Sequence, residues 1–359
     1  MENKKTGTRF FRRISLITLL AVYFLILVGG IVRSTGAGMG CPDWPKCFGS
    51  WIPPTSEEML PENYKEMYVD YRVAKNQKFA SYLAALGFDQ KSDVLLNDES
   101  IKQETPFNVV KTWIEYINRL IGALIGILIF INLITSFSYI KTDKIIFLIS
   151  LFLFILVVFQ GWIGSLVVST NLIPWMVTVH MVLAVVIIAL LVYLVFRSRI
   201  EQYRSKKIHQ FNLLNSLLIL SGLFIVIQII LGSQVREAID LIASSLNYQH
   251  RNTWIGSMGT DFFIHRSFSL IPLALQIGIL VILIKNKSAS GNIFNFAKAL
   301  LILIILEVGF GVIMAYAGIP PFIQPVHLLF GVLIFGLQFF LLLIVNNYRT
   351  IPLQKKISI

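Results

Sequence analysis

Three of the five histidines stand where apolar segments begin, and their surroundings repeat. His180 and His327 are 147 residues apart, and the same step carries Gln160 to Glu307, Gly164 to Gly311 and Pro174 to Pro321. It also carries Asn118-Arg119 to His265-Arg266, so each half of the chain offers one polar position and one histidine at a fixed separation. A constant step marks an internal duplication, and polar or ionisable residues repeated at the mouths of apolar segments are functional until shown otherwise. Two imidazoles facing each other between helices are the arrangement that ligates a flat haem. His265 and His327 form such a pair in the second half, whereas in the first half His180 is matched with Asn118. His209, in a basic turn, reads as solvated; His250, in a polar loop, either is solvated or touches a propionate.

Cations and one carboxylate accompany these positions. Arg119 and Arg266 directly follow the paired residues, while Arg33 and Arg236 end the first helix of each half, aligning 203 residues apart together with Gly29/Gly232 and Val32/Val235. A guanidinium in hydrocarbon is costly. Haem propionates would pair with it bidentately; snorkelling to the interface or pairing with Glu or Asp are the other readings. Glu115 lies three residues before Asn118 and therefore on the same helix face. Its counterpart is Phe262, with Asp261 beside it, so the two mouths differ in a group able to act as acid or base. A salt bridge to Arg119 or Arg33 is the alternative for Glu115. Gln160 and Glu307 sit deeper and satisfy polar groups between helices.

The elements that must position these residues are membrane spans. With 56% hydrophobic and 14% charged residues in 359, the chain has more apolar side chain than a soluble domain buries. Runs able to cross about 30 Å of hydrocarbon lie near 15–33, 113–137, 145–168, 175–196, 211–234, 262–284, 296–316 and 323–346. The expected fold is an all-α integral membrane protein of eight helices in two pseudo-symmetric four-helix bundles, parallel because each half has an even number of spans. Residues 1–13 are a tail, 14–196 the first half with a long outer loop at 34–111, 197–210 a basic inner linker, 211–346 the second half and 347–359 a second tail. The face holding both termini carries 18 of the 31 Lys+Arg and 3 of the 19 Asp+Glu. That asymmetry places both termini in the cytoplasm, and it explains the net charge of +12 without nucleic acid. The expected location is a bacterial cytoplasmic (inner) membrane, with the histidines toward the outer face and lipid as a partner. The basic head before the first span resembles a signal peptide, but the apolar run is too long for one, and its Gly29-to-Arg33 end repeats in the second half.

The first half carries 56 more residues than the second, all in the loop after Ser34. Gly36 to Gly49 is dense in turn formers and irregular; Glu62 to Leu86 is a helix able to lie on the bilayer or the bundle; residues 87–105 are polar and mobile. The second half's loop, Glu237 to Thr260, has a short periodic stretch, Ala238 to Leu246, and an aromatic anchor, Trp254. Cys41 and Cys47 fall together on the outer face, where a disulfide is the default. It serves as a clamp or in redox chemistry.

Gly29 to Gly38, Cys41-Pro-Asp-Trp-Pro-Lys-Cys47, Glu115-Tyr-Ile-Asn-Arg119 and the two Pro-to-His stretches together resemble the haem A synthase family across all eight helices. The resemblance implies oxidation of the C8 methyl of haem O to the formyl group of haem A, for terminal oxidases. It implies a b-type haem on His265 and His327, substrate haem on His180, and Glu115 as the glutamate of the second helix. Haem O synthase, oxidase assembly factors and an electron acceptor are the implied partners. Asn118 departs from the family's Glu-x-x-His-Arg. An amide is a poor iron ligand, so His180 is expected to hold one face of the substrate while the other face is open or bound by water that Asn118 orients beside Glu115. The rival readings are a quinone-linked di-haem electron carrier of cytochrome b type, which would want four histidines, and a transporter, which would want polar or broken helices at the bilayer midplane.

Overall fold

The computed structural model describes residues 2–99, 106–203, 210–246, 249–285 and 291–347. His209, part of the basic linker and all but the first residue of the 347–359 tail lie outside them. Eleven α-helices are described: α1 (Glu2–Ser34), α2 (Tyr64–Ala85), α3 (Asp89–Leu96), α4 (Val109–Ser136), α5 (Lys144–Ser169), α6 (Pro174–Arg197), α7 (Phe211–Ser245), α8 (Thr260–Phe268), α9 (Leu270–Lys285), α10 (Gly291–Tyr316) and α11 (Ile323–Asn346). Eight segments are long and apolar enough to cross a membrane, with α8 and α9 together making one of them. Each sits where the apolar run predicts a span.

Among the spans of the first half, α1 packs on α4 and α6, and α5 packs on both α4 and α6. In the second half α7 packs on α9 and α11, and α10 packs on both α9 and α11. The joint between halves is made by α1 on α11, α6 on α11 and α6 on α7. Two apolar cores follow, one with Phe11, Ile129, Leu153 and Leu191, the other with Leu214, Ile279, Leu300 and Leu341. Phe335, Phe340 and Leu343 of α11 touch both. Lipid tails compete for apolar contact, so buried polar links matter here, each contributing about 0.6–2 kcal/mol. Asn132 donates to Ser15 Oγ (2.8 Å), Gln276 to the Ala297 carbonyl (2.9 Å) and Gln338 to the Leu218 carbonyl (2.8 Å).

Local chemistry explains where the helices differ from the sequence reading. The basic head is already helical, and Phe11 is fully buried with its ring 5.1 Å from that of Tyr139. The sixth span breaks at Ser269 because Pro272 has no N–H for the Phe268 carbonyl and its ring crowds that position. Far from ending near Gln234, the fifth span runs on to Ser245 and absorbs the stretch from Ala238; no Gly or Pro lies between Gln234 and Ser245, and Arg236 and Asp240 pair at i,i+4. Residues 89–96, expected to be mobile, form α3, whose Leu95 is buried against the cluster of Phe79 and Leu83. Trp254 is no surface anchor. It is buried, donating to the Gln249 carbonyl at 2.8 Å, with Arg251 over its ring.

Helix α2 lies on the bundle. Asn76 donates to the Ser169 carbonyl at the end of α5 (2.6 Å), and Phe79 packs between Trp162 and Trp175. The loops following α1, α5, α7 and α10 thus crowd one end of the bundle, the mouth end.

Candidate functional site

Each of the four repeated polar positions sits over a glycine of a neighbouring helix. A methyl group built on Gly232 of α7 would lie 3.1 Å from His265 Cε1, one on Gly164 of α5 would lie 3.4 Å from His180 Cε1, and one on Gly311 of α10 would lie 3.6 Å from His327 Cε1. The fourth, on Gly29 of α1, would lie 3.8 Å from Asn118 Oδ1. Gly29/Gly232 and Gly164/Gly311 are matched pairs of the repeat, so what the sequence repeats is a ring together with the space it occupies. At each position a glycine hydrogen leaves room for the ring or amide opposite.

His265 and His327 face each other with ring centroids 6.4 Å apart and planes at 84°, close enough for one iron to reach both. His327 Nδ1 lies 3.1 Å from Glu307 Oε1, an ion-pair distance. The His265 carbonyl accepts from Gln228 Nε2 (3.0 Å) and the His180 carbonyl from Gln160 Nε2 (2.9 Å), which pins the backbone and leaves the rings alone. Among the described residues the buried Nδ1 atoms of His180 and His265 have no hydrogen-bond partner, and neither has Asn118 Oδ1. A structural histidine would spend its nitrogens on hydrogen bonds. These fit a ligand set: a bis-imidazole site for haem at His265 and His327, and a single imidazole at His180.

The arginines divide unequally. Arg33 and Arg236 both pair with Asp240, at 2.9 and 2.6 Å, and Arg236 also bonds Gln324 and the Arg33 carbonyl. Arg266 is exposed, with Phe262 and Phe263 under its guanidinium and no carboxylate partner among the described residues. Arg119 is committed: it pairs with Glu115 and donates to the carbonyls of Cys41 (2.9 Å), Asp43 (2.6 Å) and Lys46 (3.0 Å).

Glu115 is buried with both oxygens engaged, one by Arg119 and one by the Cys41 N–H at 2.8 Å. The salt bridge weighed from the sequence is therefore present, and it grips the loop closed by the Cys41–Cys47 disulfide. Thr112 Oγ1 adds a bond to the Gly40 carbonyl (2.8 Å), and Gly40 lies so close to Lys111 that a Cβ would stand 2.6 Å from its carbonyl. Both cysteines are buried. Asp240 escaped the sequence reading. Its i,i+4 spacing to Arg236 was a usable signal, but Arg33 is 207 residues away. His250 is exposed in the loop before α8.

Polar groups gathered at one end of eight apolar spans, with buried imidazole nitrogens that have no hydrogen-bond partner among the described residues, mark a multi-pass membrane protein with its candidate site at that end. The chain belongs to the COX15-CtaA family of cytochrome oxidase assembly proteins, whose sequence model matches residues 12–84 and 90–339. It is similar to the heme A synthase of Shewanella oneidensis, 30% identical over 217 residues that span 60% of this chain and 54% of that protein. It is also similar to the heme A synthases of Wolbachia sp. subsp. Brugia malayi (26% identical over 340 residues, 88% of this chain and 91% of that one) and Orientia tsutsugamushi strain Ikeda (26% over 375 residues, 93% and 96%). The resemblance drawn from the motifs is borne out.

Proposed function

We propose that this chain is a haem A synthase, a membrane oxidoreductase that converts haem O to haem A by oxidising the C8 methyl group to a formyl group. The observation that carries the reading is the difference between two mouths matched by the repeat: His265 faces His327 in one, whereas in the other the repeat matches His180 with Asn118, which shares its helix with the buried Glu115. Such a difference suits one haem that is kept and one that is altered.

In this reading the halves are pseudo-symmetric parallel bundles, both termini are cytoplasmic, and the mouth end is the outer face of a bacterial inner membrane. His265 and His327 hold haem b, with Arg236 and Arg266 near its propionates. When bound, that haem supplies a one-electron relay for an oxidation that must remove four electrons in all. His180 takes the substrate iron on one face. Asn118 Oδ1, buried and unpartnered, orients a water on the other. Glu115 accepts a proton from the reacting group, for which it must exchange one of its present partners. Arg33 and Arg119 fix the surrounding carboxylates and loop, and the disulfide holds the loop over the site. Haem O synthase would deliver the substrate, and oxidase assembly factors would receive the product.

Extraction and chromatography of haem from the purified protein tests the function. Haem A or a hydroxylated haem O beside haem B is expected; haem B alone would make the chain an electron carrier.

A further inference from the structure

Resting on that reading, we propose that Lys75 of α2 binds a propionate of haem O, filling the role that Arg119, by its place in the repeat, leaves vacant. Arg119 and Arg266 are repeat equivalents, yet Arg119 is used up by Glu115 and three loop carbonyls. Arg266 has no such obligation. The first-half mouth therefore lacks the free cation that the second has at this position, and a substrate with two carboxylates entering an apolar bundle needs one.

Lys75 is the cation placed to supply it. Its Nζ donates to the Ser165 carbonyl at 3.1 Å, and Ser165 follows Gly164, the glycine that backs the His180 ring. The ammonium thus stands on the turn of α5 whose Gly164 backs the His180 ring of α6. Ser165 is its one hydrogen-bond partner among the described residues, and an ammonium has three donors, so two are left for a carboxylate. Burial, and then the nearby Arg119 guanidinium, push Lys75 below the usual lysine range, with Asp43 opposing them.

The position is also fixed. Asn76 bonds the Ser169 carbonyl, and Phe79, Ala80 and Leu83 pack with Ile163, Leu166 and Met176 in one cluster. Helix α2 belongs to the 56 residues that only the first half carries. The added loop then contributes a substrate contact as well as a cover.

The test titrates the purified full-length chain with haem O and with haem O whose propionates are both methyl esters, following the Soret band. The wild type should favour the free acid by roughly tenfold or more, the range of a charge-assisted hydrogen bond. Lys75→Met should lose most of that preference and Lys75→Arg should keep it. Lys75→Gln retains a donor for the Ser165 carbonyl without the charge, so loss in Gln as in Met separates the cation from any loosening of α2. Wild-type preference in Lys75→Met or Lys75→Gln overturns the assignment. A wild-type chain that binds neither ligand overturns the haem A synthase reading as well.

Discussion

Glu115 has two oxygens and both are occupied, so any proton it accepts must be exchanged against Arg119 or the Cys41 N–H. Glu115→Gln keeps an acceptor and loses the base. Haem A should fall by about a hundredfold or more, with haem O or its alcohol accumulating, while the low-spin signal of His265 and His327 stays; wild-type haem A in extracts would reduce Glu115 to a holder of the loop. Asn118 offers the complementary test. Asn118→Ala removes an amide whose Oδ1 has no partner among the described residues and should slow turnover less than His180→Ala, which removes the ligand proposed for the substrate iron. Paramagnetic resonance of the haem-O-loaded wild type should show a high-spin or water-ligated centre beside a low-spin one, and two low-spin bis-imidazole signals would reverse this. The sequence disclosed these residues because the repeat makes each a comparison with its twin. Lys75 and Asp240 have no such twin to stand out against, and their partners are far off in the chain, so both looked like ordinary surface charges.

At the scale of the helix, the glycines behind the rings make a graded series. Gly232→Ala would press a methyl to 3.1 Å from His265, closer than ordinary contact, whereas Gly311→Ala and Gly29→Ala meet their neighbours at 3.6 and 3.8 Å. Optical spectra should show a weakened or shifted low-spin haem in Gly232→Ala and near-wild-type spectra in the other two. Equal spectra in all three would mean the glycines are incidental. The spans were legible because hydrophobic length is a strong signal. Boundaries were less so: α7 overran its apolar run on an ion pair, and α3 formed from a polar stretch because one residue, Leu95, had a cluster to enter. Such outcomes depend on neighbours that composition does not name.

For the whole molecule the joint between halves is the issue, and Asp240 lies in it. One carboxylate compensates Arg33 of the first half and Arg236 of the second. Its residue 203 positions back is Ala37, so the bridge departs from the repeat. The group is 39% exposed, which limits its worth to about 1 kcal/mol per pair. Asp240→Asn should lower the apparent melting temperature by about 2–4 °C and leave it less sensitive than the wild type's to added salt; an unchanged melting curve would mean that solvent alone serves the two arginines. The break at Ser269 bears on the lipid around the molecule. Helix α9, with 16 residues, gives only ~24 Å of continuous rod, short of the ~30 Å hydrocarbon thickness. Helix α8, and His265 with it, has to remain within the apolar slab to complete the crossing. Acyl chain length thereby becomes a force on His265. In bilayers of longer lipids the mismatch falls on the joint between α8 and α9, and the low-spin signal of His265 should broaden there while that of detergent-solubilised protein stays sharp.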